Sequence, residues 1–290
     1  MQDAEVSRAV AAATSIVSAL GLEVTEAVVL HNSNKLAVRL LPCDVLARVG
    51  PLGQHDAQFE IELAGRLAGT KSPVAALDPR VAPRAYERDG FVLTLWTYYA
   101  SVTPEVAPAP YAKALGALHA GMRTLDVTTP HFTDRVAEAQ RIVGNRDQSP
   151  ALAEADRALL SDTLSRLRRT ITDRGAPEQL LHGEPHPGNV LGTKDGPRFI
   201  DLETCCRGPV EFDLAHVPEA VSEHYRGADQ ALLGECRGLV LAMVAAWRWD
   251  AGDQFPDGPR VGREFIRILR QGPPWPTLDA MMRGMAGSTG

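Results

Sequence analysis

The polar side chains that could do chemistry together are concentrated in residues 181–203, LHGEPHPGNVLGTKDGPRFIDLE. They are His182, Glu184, His186, Asn189, Asp201 and Glu203. Lys194-Asp195-Gly196 lies between two short apolar runs and predicts a tight β-hairpin turn. Such a hairpin would hold Asn189 at its entrance close to Asp201 at its exit. An amide oxygen and a carboxylate suit a hard cation such as Mg²⁺, which takes few protein ligands and keeps water and substrate phosphates.

Two other chemistries are poorly supported by this segment. His182 and His186 are four residues apart, a spacing that binds zinc when it lies on a helix. The prolines and glycine between and after them forbid a helix, so we expect His182 to make hydrogen bonds that brace a loop. The sequence also lacks the G-x-S-x-G pattern of serine hydrolases.

HGEPHPGNV followed by FIDLE resembles the catalytic segment of the aminoglycoside phosphotransferase family, the small-molecule branch of the protein-kinase-like fold. That family reads His-Gly-Asp-x-His-x-x-Asn and then Ile-Asp after a hairpin. In protein kinases the catalytic base and the metal-binding Asn are five residues apart, and Glu184 and Asn189 keep that spacing. The chain departs from the pattern at the base, where the family has Asp and the chain has Glu184.

The resemblance implies a role for each matching residue. Asp201 would bind Mg²⁺ that bridges the β and γ phosphates of ATP, or of GTP, and Asn189 would complete the metal site. Glu184 would accept or orient the proton of the attacking substrate hydroxyl. Asp213, in the segment EFDLA, would brace the catalytic loop.

The longer side chain of Glu184 raises the question of how it is positioned. Glu keeps the carboxylate and a similar pKa, but it is one methylene longer than Asp. A displacement of about 1 Å can cost on the order of 10²-fold in rate. Because the other motif residues are present, we expect the loop to have adjusted around Glu184.

The catalytic segment needs a nucleotide-binding half, and residues 26–50 predict one. Apolar runs at 27–30, 36–40 and 45–49 are separated by short links, which is typical of an antiparallel meander. In a kinase-like fold the first link, 31–35, lies over the nucleotide phosphates, although an ordinary hairpin turn fits it equally well. Residues 4–20 predict an amphipathic helix that packs on the outside of this domain.

A cation on the third strand and a carboxylate on the following helix are the next features that the resemblance implies. Arg48 stands where related enzymes have a Lys that holds the α and β phosphates, and Arg can bind phosphate through two hydrogen bonds. A Glu on the helix at 56–69 would pair with that cation. Glu60 is the preferred residue and Glu62 the alternative. The alternative for Arg48, Glu60 and Glu62 is that each side chain simply faces solvent without a functional role.

Residues 90–96 form the most strand-like run in the first third of the chain. In kinase-like folds this strand ends in the hinge, where main-chain groups bind adenine and apolar side chains enclose its ring. The hinge candidates are Leu95, Trp96, Thr97 and Tyr98.

The bulk composition is that of an ordinary soluble globular protein, with 290 residues, 44% hydrophobic and 23% charged. A net charge of −6 argues against a nucleic-acid partner. It is compatible with a cationic small-molecule substrate, although most acidic proteins are acidic for solubility. The acidic stretch 211–229 could line a pocket for an amine or form a solvated helix face.

Cysteine spacing and the N-terminus favour a cytoplasmic protein. None of the four cysteines forms a CxxC pair, so free thiols in a reducing compartment are expected. MQDAEVSRAV lacks a signal-peptide pattern, and no run of 18 apolar residues occurs, so we expect no membrane partner.

The resemblance implies an α+β, two-lobed, protein-kinase-like fold. Residues 1–100 would form the N-lobe, with a five-stranded antiparallel sheet and one helix. Residues 101–290 would form a mainly helical C-lobe after a proline-rich boundary at 101–110. Apolar spacing predicts its helices near 111–122, 134–146, 152–173, 229–249 and 260–270.

The implied activity is ATP- and Mg²⁺-dependent phosphorylation of a hydroxyl on a small molecule. An aminoglycoside or another antibiotic is the obvious substrate class, which would make the protein an antibiotic-resistance kinase. A metabolite kinase of the choline or homoserine type fits the same motif. A nucleotide-binding pseudokinase without turnover is the alternative that the Glu184 and Arg48 departures suggest.

Overall fold

The computed structural model describes residues 1–53 and 56–286. The chain forms two compact units. The first contains Met1–Glu105 and Leu191–Glu203, and the second contains Val106–Val190 and Thr204–Gly290.

The first unit is built on a five-stranded antiparallel sheet. Its elements are α1 (Asp3–Ala19), β1 (Val24–Asn32), β2 (Leu36–Pro42), β3 (Val45–Pro51), α2 (Asp56–Ala68), β4 (Tyr86–Arg88) and β5 (Phe91–Thr97). The strand order is β1-β2-β3-β5-β4, with every neighbouring pair antiparallel. The predicted five-stranded sheet, its meander and its flanking helices are confirmed.

The period-two pattern of β2 and β3 decides which side chains enter the core. Alternate residues of both strands, such as Val38 and Ala47, are buried in one cluster with Ala13 and Val17 of α1. Arg48 has the opposite parity and therefore points to the face of the sheet away from that cluster. The amphipathic pattern of α1 is confirmed by its packing on the core face.

The predicted hairpin is confirmed as β7 (Val190–Thr193) and β8 (Gly196–Phe199), joined by a turn at residues 194 and 195. Phe199 donates its N–H to the Pro73 carbonyl (2.7 Å) and accepts from the Ala75 N–H (2.9 Å). These bonds explain why the hairpin, apart from Val190, belongs to the first unit. The predicted C-lobe, residues 101–290, includes this segment, because a boundary placed along the sequence does not show that the chain returns to an earlier unit.

The second unit is mainly helical, as predicted. Its long helices are α3 (Pro108–Met122), α4 (Phe132–Gly144), α5 (Glu154–Asp173), α8 (Gln230–Trp247) and α9 (Gly258–Gln271). Its shorter elements are β6 (Gln179–Leu181), β9 (Cys206–Gly208), α6 (Val210–Leu214), α7 (Glu219–His224) and α10 (Leu278–Ala286). β6 and β9 pair antiparallel and flank the catalytic segment in the chain.

α8 is the central helix of the second unit. Most of its residues are buried, and it packs against α5 and α9. Among the described residues it is the one helix that is long and apolar enough to cross a membrane. Because protein already covers most of its surface, we interpret it as a core helix.

Candidate active site

A network of charged side chains lies on the face of the first unit's sheet that is opposite to the α1 cluster. Arg48 on β3 contacts the Glu60 carboxylate of α2 through Nη1 and donates from Nη2 to Asp201 Oδ1 at 2.8 Å. The Glu60 side chain is fully buried and also accepts the Leu202 N–H at 3.2 Å. Exposed Glu62 instead accepts from Gln58 on its own helix. The structure therefore pairs Arg48 with Glu60 and not with Glu62.

The charges of this network act on one another through a largely buried environment. Burial lowers the pKa of the Arg48 guanidinium, but the charges of Glu60 and Asp201 outweigh it and hold the pKa above its ordinary value. Burial holds the pKa of the Glu60 carboxyl above its ordinary value, although Arg48 and Lys35 act in the opposite direction. Arg48 is therefore a fixed cation between two carboxylates.

Asp201 follows β8 in a backbone conformation that non-glycine residues seldom adopt, with φ of +66°. Such conformations are concentrated at functional sites, where the surrounding contacts maintain them. Here the contacts are the Arg48 bond to Asp201 and the Glu60 bond to the next main-chain N–H. The Asp201 side chain keeps 28% of its surface exposed, and its second carboxylate oxygen is a hard ligand of the kind that Mg²⁺ prefers.

Lys35 is a member of the network that the sequence analysis missed. It ends the loop between β1 and β2, and its Nζ contacts Glu203 Oε2 and lies 3.7 Å from Glu60 Oε2. Only 10% of its side chain is exposed. The one available signal was a basic residue at the end of a small polar loop that the resemblance placed over phosphates.

The proposed hinge is more internally bonded than the sequence suggested. Leu95 and Trp96 are buried, and the Trp96 indole N–H donates to Thr94 Oγ1 at 2.8 Å. The Thr97 N–H donates to the Ala76 carbonyl (2.9 Å), and the Leu95 carbonyl accepts the Asp78 N–H (3.1 Å). Tyr98 lies beyond the strand, with its ring 3.9 Å from the Arg39 guanidinium.

In the second unit, an arginine holds the carboxylate at the candidate catalytic position. Arg135 of α4 contacts Glu184 Oε1 through Nη2 and donates from Nη1 to the Gly183 carbonyl at 3.2 Å. Burial raises the pKa of Glu184, but the charge and hydrogen bond of Arg135 outweigh it and hold the pKa below its ordinary value. Arg135 was not identified from the sequence.

Asp213 braces the loop that carries Glu184, as predicted. The carboxylate is fully buried and accepts the N–H groups of His182 (2.9 Å) and Gly183 (2.8 Å). It also lies 2.9 Å from His119 Nε2, a buried residue that the sequence analysis did not single out. Burial raises the pKa of Asp213, but these hydrogen bonds outweigh it, so the pKa lies below its ordinary value.

Gly183 is required by the close approach of two backbone segments. Its φ is +90°, and a Cβ built at this position would lie 2.0 Å from the Thr204 carbonyl oxygen. A side chain here would displace the loop that positions Glu184.

The remaining polar residues of the loop bond to its own backbone. The Glu184 N–H donates to His182 Nδ1 at 3.4 Å, which confirms the loop-bracing role expected of that histidine. Asn189 donates from Nδ2 to the Glu184 carbonyl at 3.0 Å, so its Oδ1 is the atom suited to a cation. Within residues 1–53 and 56–286 no group of three or more His, Cys, Asp or Glu could hold a metal, which gives the zinc reading no support.

The acidic stretch 211–229 does not form a single exposed surface. Glu211 and Asp213 are buried, and Glu211 accepts the Asp229 N–H at 2.9 Å. Asp229 in turn accepts N–H groups at the start of α8, as a helix cap does. The stretch therefore gives little support to a pocket for an amine.

Comparison with protein families gives a match over most of the chain. The sequence model of the phosphotransferase enzyme family (APH) matches residues 31–252, which include both charged groups described above. No curated protein matches the chain in sequence.

Several solved structures share the fold over nearly their whole length. Amicoumacin kinase hAmiN, in complex with AMP-PNP, Ca²⁺ and Ami, has a TM-score of 0.68 at 12% identity and covers 95% of this chain and 98% of its own. Choline kinase LicA from Streptococcus pneumoniae has a TM-score of 0.66 at 14% identity, covering 90% and 96%. APH(2")-IIia in complex with GDP and kanamycin has a TM-score of 0.70 at 15% identity, covering 90% and 99%. These likenesses confirm the predicted kinase-like α+β fold.

Proposed function

The chain belongs to the phosphotransferase enzyme family, and we propose that it transfers the γ-phosphate of a nucleoside triphosphate to a hydroxyl of a small molecule. The observation that carries the proposal is the position of Arg48, which is tied to Glu60 and Asp201 at once. Phosphoryl transfer asks a protein mainly to position charged groups and to neutralise charge, and this network supplies both.

The nucleotide half of the site is assigned to the first unit. Arg48 would hold the α and β phosphates, with Glu60 fixing the direction of its guanidinium. The Leu95 carbonyl and the Thr97 N–H already bond to other main-chain groups. Main-chain hydrogen bonds to the nucleotide base are therefore assigned to Tyr98 and the residues after it. Leu95 and Trp96 would contribute apolar surface behind them. The AMP-PNP and GDP of the similar structures support a purine nucleotide.

A divalent cation fits the oxygen ligands that the chain offers. Asp201 would supply a carboxylate oxygen and Asn189 its Oδ1, the hard donors that Mg²⁺ takes together with phosphates and water. When bound, Mg²⁺ would neutralise phosphate charge during the transfer. The amicoumacin kinase structure is a complex with Ca²⁺ as well as AMP-PNP, which supports the use of a divalent cation with the nucleotide.

Glu184 is proposed to accept or orient the proton of the acceptor hydroxyl. Arg135 holds the carboxylate, and its positive charge keeps the carboxylate ionised near neutral pH, the form that can accept a proton. General-base assistance contributes roughly 10²–10⁴-fold. Arg135 therefore fixes the direction of the longer Glu side chain, and the expected adjustment of the loop stays a prediction.

The acceptor is proposed to be a hydroxylated small molecule, with antibiotics and amino alcohols as the first classes to test. The similar structures include complexes with Ami and kanamycin and a choline kinase. Nucleic-acid and membrane partners are not expected. The four cysteines are free, which supports the proposal of a reducing, cytoplasmic location.

Consumption of ATP or GTP against a panel of such acceptors tests the proposal. We expect Mg²⁺-dependent turnover with at least one acceptor, and a loss of roughly 10²-fold or more in Glu184→Gln with nucleotide affinity kept. The conservative Glu184→Asp should also lose activity, because the shorter carboxylate moves away from both Arg135 and the acceptor. Turnover that is unchanged in Glu184→Gln would refute the assigned role.

The paired state of Glu184 favours one alternative, a nucleotide-binding protein without turnover. A carboxylate held by an arginine could be structural. Nucleotide binding by the wild type, with no consumption on any acceptor and no gain in Glu184→Asp, would support this alternative.

A further inference from the structure

The Lys35 side chain is buried, although the residue lies in a surface turn where a lysine is normally exposed. The loop at residues 33–35 is short, and its Ser33 N–H donates to the Lys35 carbonyl at 3.3 Å. A lysine at such a turn can extend into water and keep its rotamer freedom. Here the side chain instead turns inward and keeps only 10% of its surface exposed.

Two carboxylates hold the ammonium group in this position. Its Nζ contacts Glu203 Oε2 and lies 3.7 Å from Glu60 Oε2. That second distance is too long for a hydrogen bond, and Glu60 Oε2 is a buried oxygen with no hydrogen-bond partner in the part of the chain that the structure describes. Arg48 bonds the other oxygen of the same carboxylate. Lys35 and Arg48 therefore approach Glu60 from its two oxygens.

The two cations differ in how firmly they are held. The planar guanidinium of Arg48 is fixed between Glu60 and Asp201, whereas Lys35 carries a point charge on a flexible stem. Its partner Glu203 keeps 20% of its side-chain surface exposed. Incoming phosphate oxygens can therefore compete with Glu203 for the ammonium without disturbing Arg48.

We propose that Lys35 is a second phosphate-binding residue, which exchanges Glu203 for the phosphate chain of the bound nucleotide. This inference rests on the proposed nucleotide-binding function and adds to it a side chain from the β1–β2 loop. Lys35 binds the phosphate chain beside the anchored Arg48, which keeps its bonds to Glu60 and Asp201. When no nucleotide is bound, Glu203 pairs with the Lys35 ammonium and holds it in position.

Isothermal titration with ATP, ADP, AMP and adenosine, in the presence of Mg²⁺, tests the proposal without an acceptor. Lys35→Met is expected to weaken ATP and ADP binding about 10- to 100-fold, as loss of a charged hydrogen bond does, and to leave adenosine within about 2-fold. Lys35→Arg, which keeps the charge, should recover part of the affinity. Lys71→Met, at an exposed lysine of the same unit, should bind all four ligands as the wild type does.

A double variant separates phosphate binding from simple neutralisation of Glu203. Lys35→Met with Glu203→Gln removes both charges, so it avoids an unpaired carboxylate and keeps the protein folded. If Lys35 contacts phosphate, the double variant keeps the loss of ATP affinity. Recovery of wild-type affinity in the double variant would overturn the proposal, and so would an equal loss for adenosine and ATP.

Failure of this inference is distinguishable from failure of the proposed function. If the wild type binds no nucleotide at all, the proposed function is wrong, and Lys35 as a phosphate ligand falls with it. If the wild type binds ATP and Lys35→Met binds it equally well, only the role of Lys35 is wrong.

Discussion

Arg135 touches Glu184, the Gly183 carbonyl and the ring of Trp247, so replacing it with Met removes several contacts at once. The guanidinium lies 5.2 Å from the Trp247 ring centroid. The side chains of Arg135 and Glu184 keep 15% and 25% of their surface exposed, so the pair is closer to buried than to surface pairs. Met keeps much of the apolar stem and leaves the carboxylate without its partner.

The expected cost of Arg135→Met lies between the values for surface and buried ion pairs. Removing one partner of a buried pair costs about 3–5 kcal/mol, and exposed pairs contribute about 0.2–1 kcal/mol. With the partial exposure of both side chains, we expect a loss of about 2–4 kcal/mol in the free energy of unfolding. Arg141→Met on the same helix is the matched control, since Arg141 is exposed and should cost less than about 0.5 kcal/mol.

Urea unfolding followed by tryptophan fluorescence measures these differences. Trp247, Trp249 and Trp275 lie in the second unit, so the signal reports mainly on the unit that contains Arg135. A double-mutant cycle with Glu184→Gln should give a coupling of about 1–3 kcal/mol between the two positions. The reasoning would be refuted if Arg135→Met lowered the free energy of unfolding by less than about 0.5 kcal/mol, or if it lowered it equally in the wild type and in Glu184→Gln.

The same pair predicts a dependence on pH. Burial raises the folded-state pKa of Glu184, and Arg135 and its neighbours more than reverse that shift. The stability from ionised Glu184 is therefore fully present above the unfolded glutamate pKa of about 4.3, and it is lost as pH falls through the lower folded-state pKa. The difference between wild type and Arg135→Met should be largest near neutral pH and shrink in acid. A difference that grows in acid would contradict this assignment.

Three further predictions follow from neighbouring features. Gly183→Ala should cost more than about 3 kcal/mol of stability, because its Cβ would overlap the Thr204 carbonyl. The control Gly175→Ala, at φ +59° with open space around it, should cost only about 1 kcal/mol. Chemical unfolding of the two variants measures both costs. Asp213→Asn should destabilise the protein by about 2–4 kcal/mol at pH 7, and equal stability of the two proteins there would be inconsistent with the bracing role. Because hydrogen bonds hold the pKa of Asp213 below its ordinary value despite burial, the stability advantage of the wild type should be lost in acid. Glu60→Gln should weaken ATP binding about 10-fold by freeing Arg48, with Glu62→Gln as the control that leaves the calorimetric affinity unchanged.

The parts of the fold that the sequence predicted are those set by local patterns. The apolar runs at 36–40 and 45–49 predict β2 and β3, and Asp195-Gly196 predicts the hairpin turn. The short elements α6 and α7 have too few residues to show a period. Trp96 is one of the four hinge candidates, and a strand pattern does not show that its indole N–H bonds to Thr94.

The parts of the site that the sequence missed depend on distant partners. Lys35 meets a carboxylate 168 residues away, and Arg135 meets one 49 residues away. A single sequence contains no signal that joins such positions. Arg48 and Glu60 could be proposed from the sequence because the resemblance implies a cation on the third strand and a Glu on the following helix. The structure shows that these two side chains are in contact.

In the proposed function, Asp201 holds the divalent cation through which nucleotide is bound for phosphoryl transfer. Calorimetry with Asp201→Asn tests this role most directly. Asn tolerates the left-handed backbone at this position, so the variant should fold, while the charge for Mg²⁺ is lost. We predict that Mg²⁺ strengthens ATP binding to the wild type and that this gain over EDTA disappears in Asp201→Asn. An unchanged Mg²⁺-dependent gain in the variant would contradict the assignment of Asp201.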